Sequence, residues 1–354
     1  MLKPASPTGA STPEAKPPQG LGPQGLGPNP VEDELAKGLP AVEAHPLARV
    51  TKLALRIVPL VLLVVAFFVL RHEFRGLSWT AVAKAMDGWG HPAIAAAIGL
   101  SVFSFLLMGI IEQLGLRWVG ARLPWRVAIA GSFLASAIGH AIGANLLVAG
   151  AIRARLYDRY NVGLTQVAAT TLFGGMSFAV GLGALGGGGL ILATTAELSA
   201  TAIPLWLART AGALMLAGAL GWIAICFIRH EKPISAFGRS VRLPSTRDAV
   251  IQLVIGVIDN GVAAAIVWVL LPHGTTSYAS FVGAYAVACV AGLISSVPGG
   301  AGVFESAITT LLPSANAAAL AAAFLGYRLV FYLAPLVIAA VALAADTVFR
   351  SHRR

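Results

Sequence analysis

The chain has 354 residues, 57% hydrophobic and 11% charged, with a mean hydropathy of +0.80 and a formal net charge of +10. A soluble domain carries about 25% charged residues, so a soluble enzyme or a soluble nucleic-acid-binding domain is excluded. The positive charge lies in short loops between apolar runs, the pattern of cytoplasmic loops in a multi-pass membrane protein, and no basic face with interleaved aromatics suggests nucleic acid.

Residues 1–48 hold ten of the twenty prolines and a short repeat, GLGPQ then GLGPN. They are too poor in apolar residues to bury a core and predict a disordered Pro/Gly-rich cytosolic tail. The first apolar run begins near Leu53, too far along for a cleavable signal. From there an integral membrane domain is expected over 49–350. Its apolar runs are 53–70, 92–116, 127–150, 166–193, 204–228, 249–271, 279–312 with an internal break, and 317–348. Each is near or above the roughly 20 residues that cross the hydrocarbon core as helix. Between the first two, Trp79, Val82, Met86 and Trp89 share a helical face, which predicts an interfacial helix over 77–89.

Arginines and lysines cluster in loops 117–126, 151–163 and 229–248 and at the C-terminus, whereas 194–203, 272–278 and 313–316 carry none. If every run crossed once, the most basic loop would face outside. If 127–150 and 279–312 are re-entrant hairpins, all three basic loops and both termini fall inside. Only 71–91, with Arg71, Arg75 and Lys84, stays discordant. Gly139, His140 and Gly143 break the first run; Pro298, Gly299, Gly300 and Gly302 break the second. Irregular backbone at that depth is tolerated only against protein or a wet cavity. The expected fold is therefore all-α and polytopic, with about six spanning helices and two re-entrant hairpins. Helices 92–116 and 166–193 around one hairpin, and 249–271 and 317–348 around the other, would form an inverted repeat.

Ionisable residues within spans are costly and mark pathways or partners. Asp259 lies mid-run beside Asn260. Glu305 follows the second break, three residues after Gly302, where a carboxylate can cap freed amides. Arg328 lies too deep for its guanidinium to reach water and needs a partner, Glu305, Asp259 or a lipid headgroup. Arg153 and Arg155 close the first hairpin, within reach of a phosphate; His140 and Asn145 flank its break. Glu112 and Arg209 lie nearer run ends and predict snorkelling. Cys226 and Cys289, both in apolar runs, predict small packed residues, neither a disulfide nor a metal site. Gly181, Gly183 and Gly186 match GxGxxG without a preceding strand, so close helix packing is expected there. No catalytic set, metal site or cofactor motif is found.

Four segments together resemble the membrane domain of lysylphosphatidylglycerol synthase/flippase proteins: SSVPGGAGVFE (295–305), GHAIGANLLVAGAIRARLYDRYNVGLTQV (139–167), IGVIDNGVAAAIVWVLLP (255–272) and LGYRLVFYLAPLVIA (325–339). The resemblance spans roughly 50–350. Ser296 stands where the family often has His, and no soluble aminoacyl-transferase part follows, as in the stand-alone form. The resemblance implies a bacterial inner-membrane protein, with cytoplasmic termini, that moves a polar, aminoacylated or anionic phospholipid between leaflets. The expected substrate-binding residues are Arg153, Arg155, His140, Asn145, Asp259, Glu305 and Arg328. Expected partners are membrane lipids, a lipid-biosynthesis enzyme or a second copy of the chain, and no nucleic acid. The alternative is a non-transporting scaffold or accessory subunit of a lipid or envelope biosynthesis enzyme.

Overall fold

The computed structural model describes residues 79–351, apart from 143–144, 195–197, 199–200, 202, 230–233, 237–238, 242, 296–299, 301 and 313–315. The expected tail over 1–48 and the apolar run 53–70 lie outside the described residues.

The described residues are helical almost throughout. In order come α1 (Trp79–Asp87), α2 (His91–Trp118), α3 (Trp125–Ile142), α4 (Asn145–Tyr157), α5 (Leu164–Leu192), α6 (Leu205–Ile228), α7 (Thr246–Trp268), α8 (Tyr278–Ser295), α9 (Val303–Leu311), α10 (Ala317–Tyr327), a π-helical stretch (Arg328–Leu333) and α11 (Ala334–Ser351). A two-stranded hairpin, β1 (Ile234–Ala236) against β2 (Arg239–Val241), lies in the basic loop before α7. Among the described residues six helices are long and apolar enough to cross a membrane: α2, α5, α6, α7, α8 and the continuous rod Ala317–Leu343. The chain is a multi-pass membrane protein.

Side-chain placement follows from that solvent. On α2, Ile94, Ile98, Val102, Phe103 and Leu106 face outward, while Ala97, Ser101, Ser104 and Phe105 turn into the bundle. Large apolar side chains on the outside are what a lipid-facing surface requires. Helix starts carry their own signals: Pro92 in the first turn of α2, Ser245 accepting from the Asp248 amide at α7, and Asn316 accepting from the Ala318 and Ala319 amides at α10.

Helix α5 is the hub, and its glycines explain why. A methyl on Gly181 would collide with the backbone of Gly256 in α7, and one on Gly186 with Ala286 in α8. On Gly187 it would meet the Gly212 carbonyl of α6 at 2.7 Å, and on Gly189 the Gly283 amide of α8 at 2.8 Å. The GxGxxG match is thus a packing seam of small residues, as expected. Gln252 pins the same seam: its Nε2 donates to the Phe173 carbonyl of α5, and its Oε1 accepts from Trp222 of α6. Cys226 and Cys289 are both free thiols.

Of the two expected breaks, the first, with Gly143, lies outside the described residues at 143–144, between α3, in which Gly139 and His140 are helical, and α4. The second separates Ser295 from Val303, with Gly300 and Gly302 at φ +64° and +78°, backbone that favours glycine. The limbs α3 and α4 pack together, as do α8 and α9. The 125–157 segment starts and finishes at one end of the bundle, where Leu116, Leu123, Ala128, Tyr157, Val162 and Val167 form one cluster. The residues on either side of the 278–312 segment, 269–273 and 316–319, meet 84–93 at the other end, where α2 begins. Taken alone, α8 has the length and composition to cross the bilayer.

Helix α1 differs from its expectation in one respect. Met86 and Trp89 pack on Ala321, Ala322 and Leu325 of α10, so that end of the face is covered by protein.

Candidate functional site

The second break places a carboxylate on two duties at once. Gly302 opens α9 in a left-handed conformation, and its amide donates to Glu305 Oε2 at 3.0 Å, closing the freed end of the helix. Glu305 Oε1 faces the other way and accepts from Arg328 Nε at 3.0 Å and Nη2 at 2.7 Å. The side chains are 14% and 6% exposed. Charges this deep are stable only when paired and hydrogen-bonded.

Arg328 reaches Glu305 from the point where α10 widens into the π-helical stretch. Its guanidinium lies over the Tyr332 ring, 4.9 Å from the centroid, which adds a cation–π contact. The Val330 carbonyl in the same stretch accepts from Ser101 Oγ of α2 at 3.1 Å. Such π-turns concentrate at functional sites.

The first hairpin meets this centre through His140, in the last turn of α3. Its ring stacks on Phe331 at 5.7 Å between centroids and tilts against Tyr332 at 6.0 Å and Phe105 at 6.4 Å. Its Nδ1 is buried with no hydrogen-bond partner among the described residues. His140, Tyr332, Arg328 and Glu305 therefore run in sequence from one hairpin to the other. Asn145 is the first residue of α4; Pro298 and Gly299 lie outside the described residues.

A second ion pair joins α2 to α4. Arg153 Nε lies 2.8 and 2.9 Å from the two oxygens of Glu112, Nη2 lies 2.8 Å from Oε2, and Tyr157 Oη donates to Oε1 at 2.9 Å. Glu112 is 3% exposed, so it is a buried partner and not the snorkelling end-of-run residue expected. Arg153 is buried with it, whereas Arg155, two residues on, is exposed. The spacing Arg153-x-x-x-Tyr157 on one helix face was the available signal, since residues four apart converge. Arg209 is exposed on the α6 surface, as snorkelling requires.

Asp259 stands apart from both pairs: the carboxylate that meets Arg328 is Glu305, and Asp259 accepts from Ser104 Oγ of α2 at 2.5 Å. Its neighbour Asn260 donates to the Phe178 and Gly256 carbonyls and serves the α5–α7 contact. Among the described residues no group of three or more His, Cys, Asp or Glu is placed to hold a metal ion.

The profile described as the lysylphosphatidylglycerol synthase TM region matches residues 53–339, which include both breaks and both ion pairs. The chain belongs to this family. Similar members of curated standing include slr0712 of Synechocystis sp., 28% identical over 309 residues, covering 86% of this chain and 95% of that protein. The inner membrane protein YbhN of Escherichia coli is 27% identical over 305 residues, covering 84% and 93%. The resemblance read from SSVPGGAGVFE and its three companion segments is thereby confirmed at family level.

Proposed function

We propose that this lysylphosphatidylglycerol synthase-family protein moves a polar phospholipid, anionic or aminoacylated, across a bacterial inner membrane. The observation that carries the proposal is the Glu305–Arg328 pair at the glycine break, a buried, charged centre between the two hairpins. Taking a charged headgroup through hydrocarbon unaided costs several kcal/mol or more. Arg328 would meet the headgroup phosphate, bidentately as guanidinium does. Glu305 would balance a cationic headgroup, and Asp259, half-buried against Ser104, would add a second negative charge. His140 and Asn145 flank the approach from the first hairpin. Arg153 and Arg155 would receive the lipid at the basic end of the bundle, Arg155 from its exposed position on α4.

The hairpins are read as re-entrant and the termini as cytoplasmic. What supports this is that the residues flanking each hairpin meet at one end of the bundle, and that the arginine-bearing loops 117–126 and 151–163 share one end.

The test is reconstitution of the full chain into liposomes carrying headgroup-labelled lipids. Wild-type protein is expected to accelerate leaflet exchange, and Arg328→Ala and Glu305→Gln to abolish it. Exchange no faster than in protein-free vesicles would sink the transport proposal and favour the accessory-subunit alternative.

A further inference from the structure

A cavity of about 780 Å³ lies at the end of the bundle where α2 begins, and neither Glu305 nor Arg328 lines it. Three segments remote in sequence close it: 84–93, 269–273 and 316–319. Its size is that of a small-molecule site.

Its lining is asymmetric in chemistry. Lys84, in the last turn of α1, and His273 supply donors, and among the described residues no carboxylate lines the cavity. Trp89, Leu270 and Ala319 supply an apolar wall. Trp89 is fixed in place, its Nε1 donating to the Leu270 carbonyl at 2.9 Å and its ring set so close over Gly326 that a methyl there would lie 2.6 Å from it. The first turn of α10 ends on the cavity and adds the positive end of a helix dipole, with Asn316 already taking two of its amides. A cationic rim over an apolar wall suits an amphiphilic anion.

Charge placement points the same way. Lys84 belongs to the one basic segment that breaks the positive-inside pattern, at the end opposite the arginine-bearing loops 117–126 and 151–163. The charge bias of the loops does not account for a cation there, and the nearest carboxylate in sequence is Asp87 on the same helix.

We propose that this cavity is a binding site for the phosphate of an anionic phospholipid in the leaflet on that side, held by Lys84 and His273 with the lipid's glycerol region against Trp89 and Leu270. The site stands without the transport proposal, because it requires binding alone.

Native mass spectrometry of the full chain in detergent, titrated with phosphatidylglycerol, tests it. The Lys84→Ala/His273→Ala double variant is expected to bind about tenfold more weakly, Lys84→Arg to retain binding, and Ala319→Trp, which fills the cavity without removing charge, to weaken it. Arg209→Ala, on the exposed surface of α6, should leave this affinity unchanged. Equal affinity of wild type and the double variant would overturn the site, as would equal binding of phosphatidylcholine. Displacement of the lipid by millimolar inorganic phosphate would overturn the lipid as the source and assign the site to a soluble phosphate.

Discussion

The two oxygens of Glu305 have different dependants: one holds the Gly302 amide, the other the Arg328 guanidinium. Replacing Glu305 by Ala removes both and leaves a buried arginine short of its counter-charge. This is expected to destabilise the protein by about 3–5 kcal/mol. Glu305→Gln, whose amide oxygen still accepts, should be milder. Thermal unfolding in detergent measures the order, and equal midpoints for the two would contradict it. The Glu112–Arg153 pair separates structure from function in another way. Replacing both partners by apolar residues of similar volume, Glu112→Leu with Arg153→Met, is expected to restore most of the stability that Glu112→Leu alone loses. If exchange activity returns with it, Arg153 is a structural residue and no headgroup ligand. At this scale the Glu305 cap was legible, because a carboxylate three residues past a glycine break has a local geometric reason. The Glu112–Arg153 pair was not: 41 residues separate the partners, and Glu112 stands near a run end, where escape to the interface is the ordinary outcome.

The second helix break was legible to within a few residues, since Gly and Pro interrupt hydrogen-bonding ladders where they cluster. Gly139 and His140, expected to break the first run, are helical in α3, with His140 packed against Phe331. The π-helical stretch at Arg328–Leu333 had no signature in the sequence; Ser101 Oγ, more than two hundred residues earlier, donates to its Val330 carbonyl and helps to hold it. The proposed entry and return of the first hairpin at the cytoplasmic side has a direct check. In a Cys226→Ala/Cys289→Ala background, Arg155→Cys should react with a membrane-impermeant maleimide from the cytoplasmic side and His273→Cys from the opposite side. Labelling of both from the same side would remove the arrangement.

Across the whole molecule, the loop charges forecast which segments gather at each end. Residues 116–128 join 157–167 at one, and 84–93 join 269–273 and 316–319 at the other. The hub role of α5 was legible only as a glycine-rich stretch; which helices it meets depends on contacts no local pattern encodes. Gly181→Ala drives a methyl into the Gly256 backbone, whereas Gly188→Ala meets nothing within 4 Å. Gly181→Ala is expected to cost about 1–3 kcal/mol or more, Gly188→Ala to be neutral or slightly stabilising, read as shifts in the unfolding midpoint. Helices seated backbone to backbone have no compliant side chains between them to absorb a slide. The trio α5, α7 and α8 therefore forms a keel, and on the transport proposal the rocking that admits a headgroup would fall to the parts hung around it, the short limbs α3, α4 and α9.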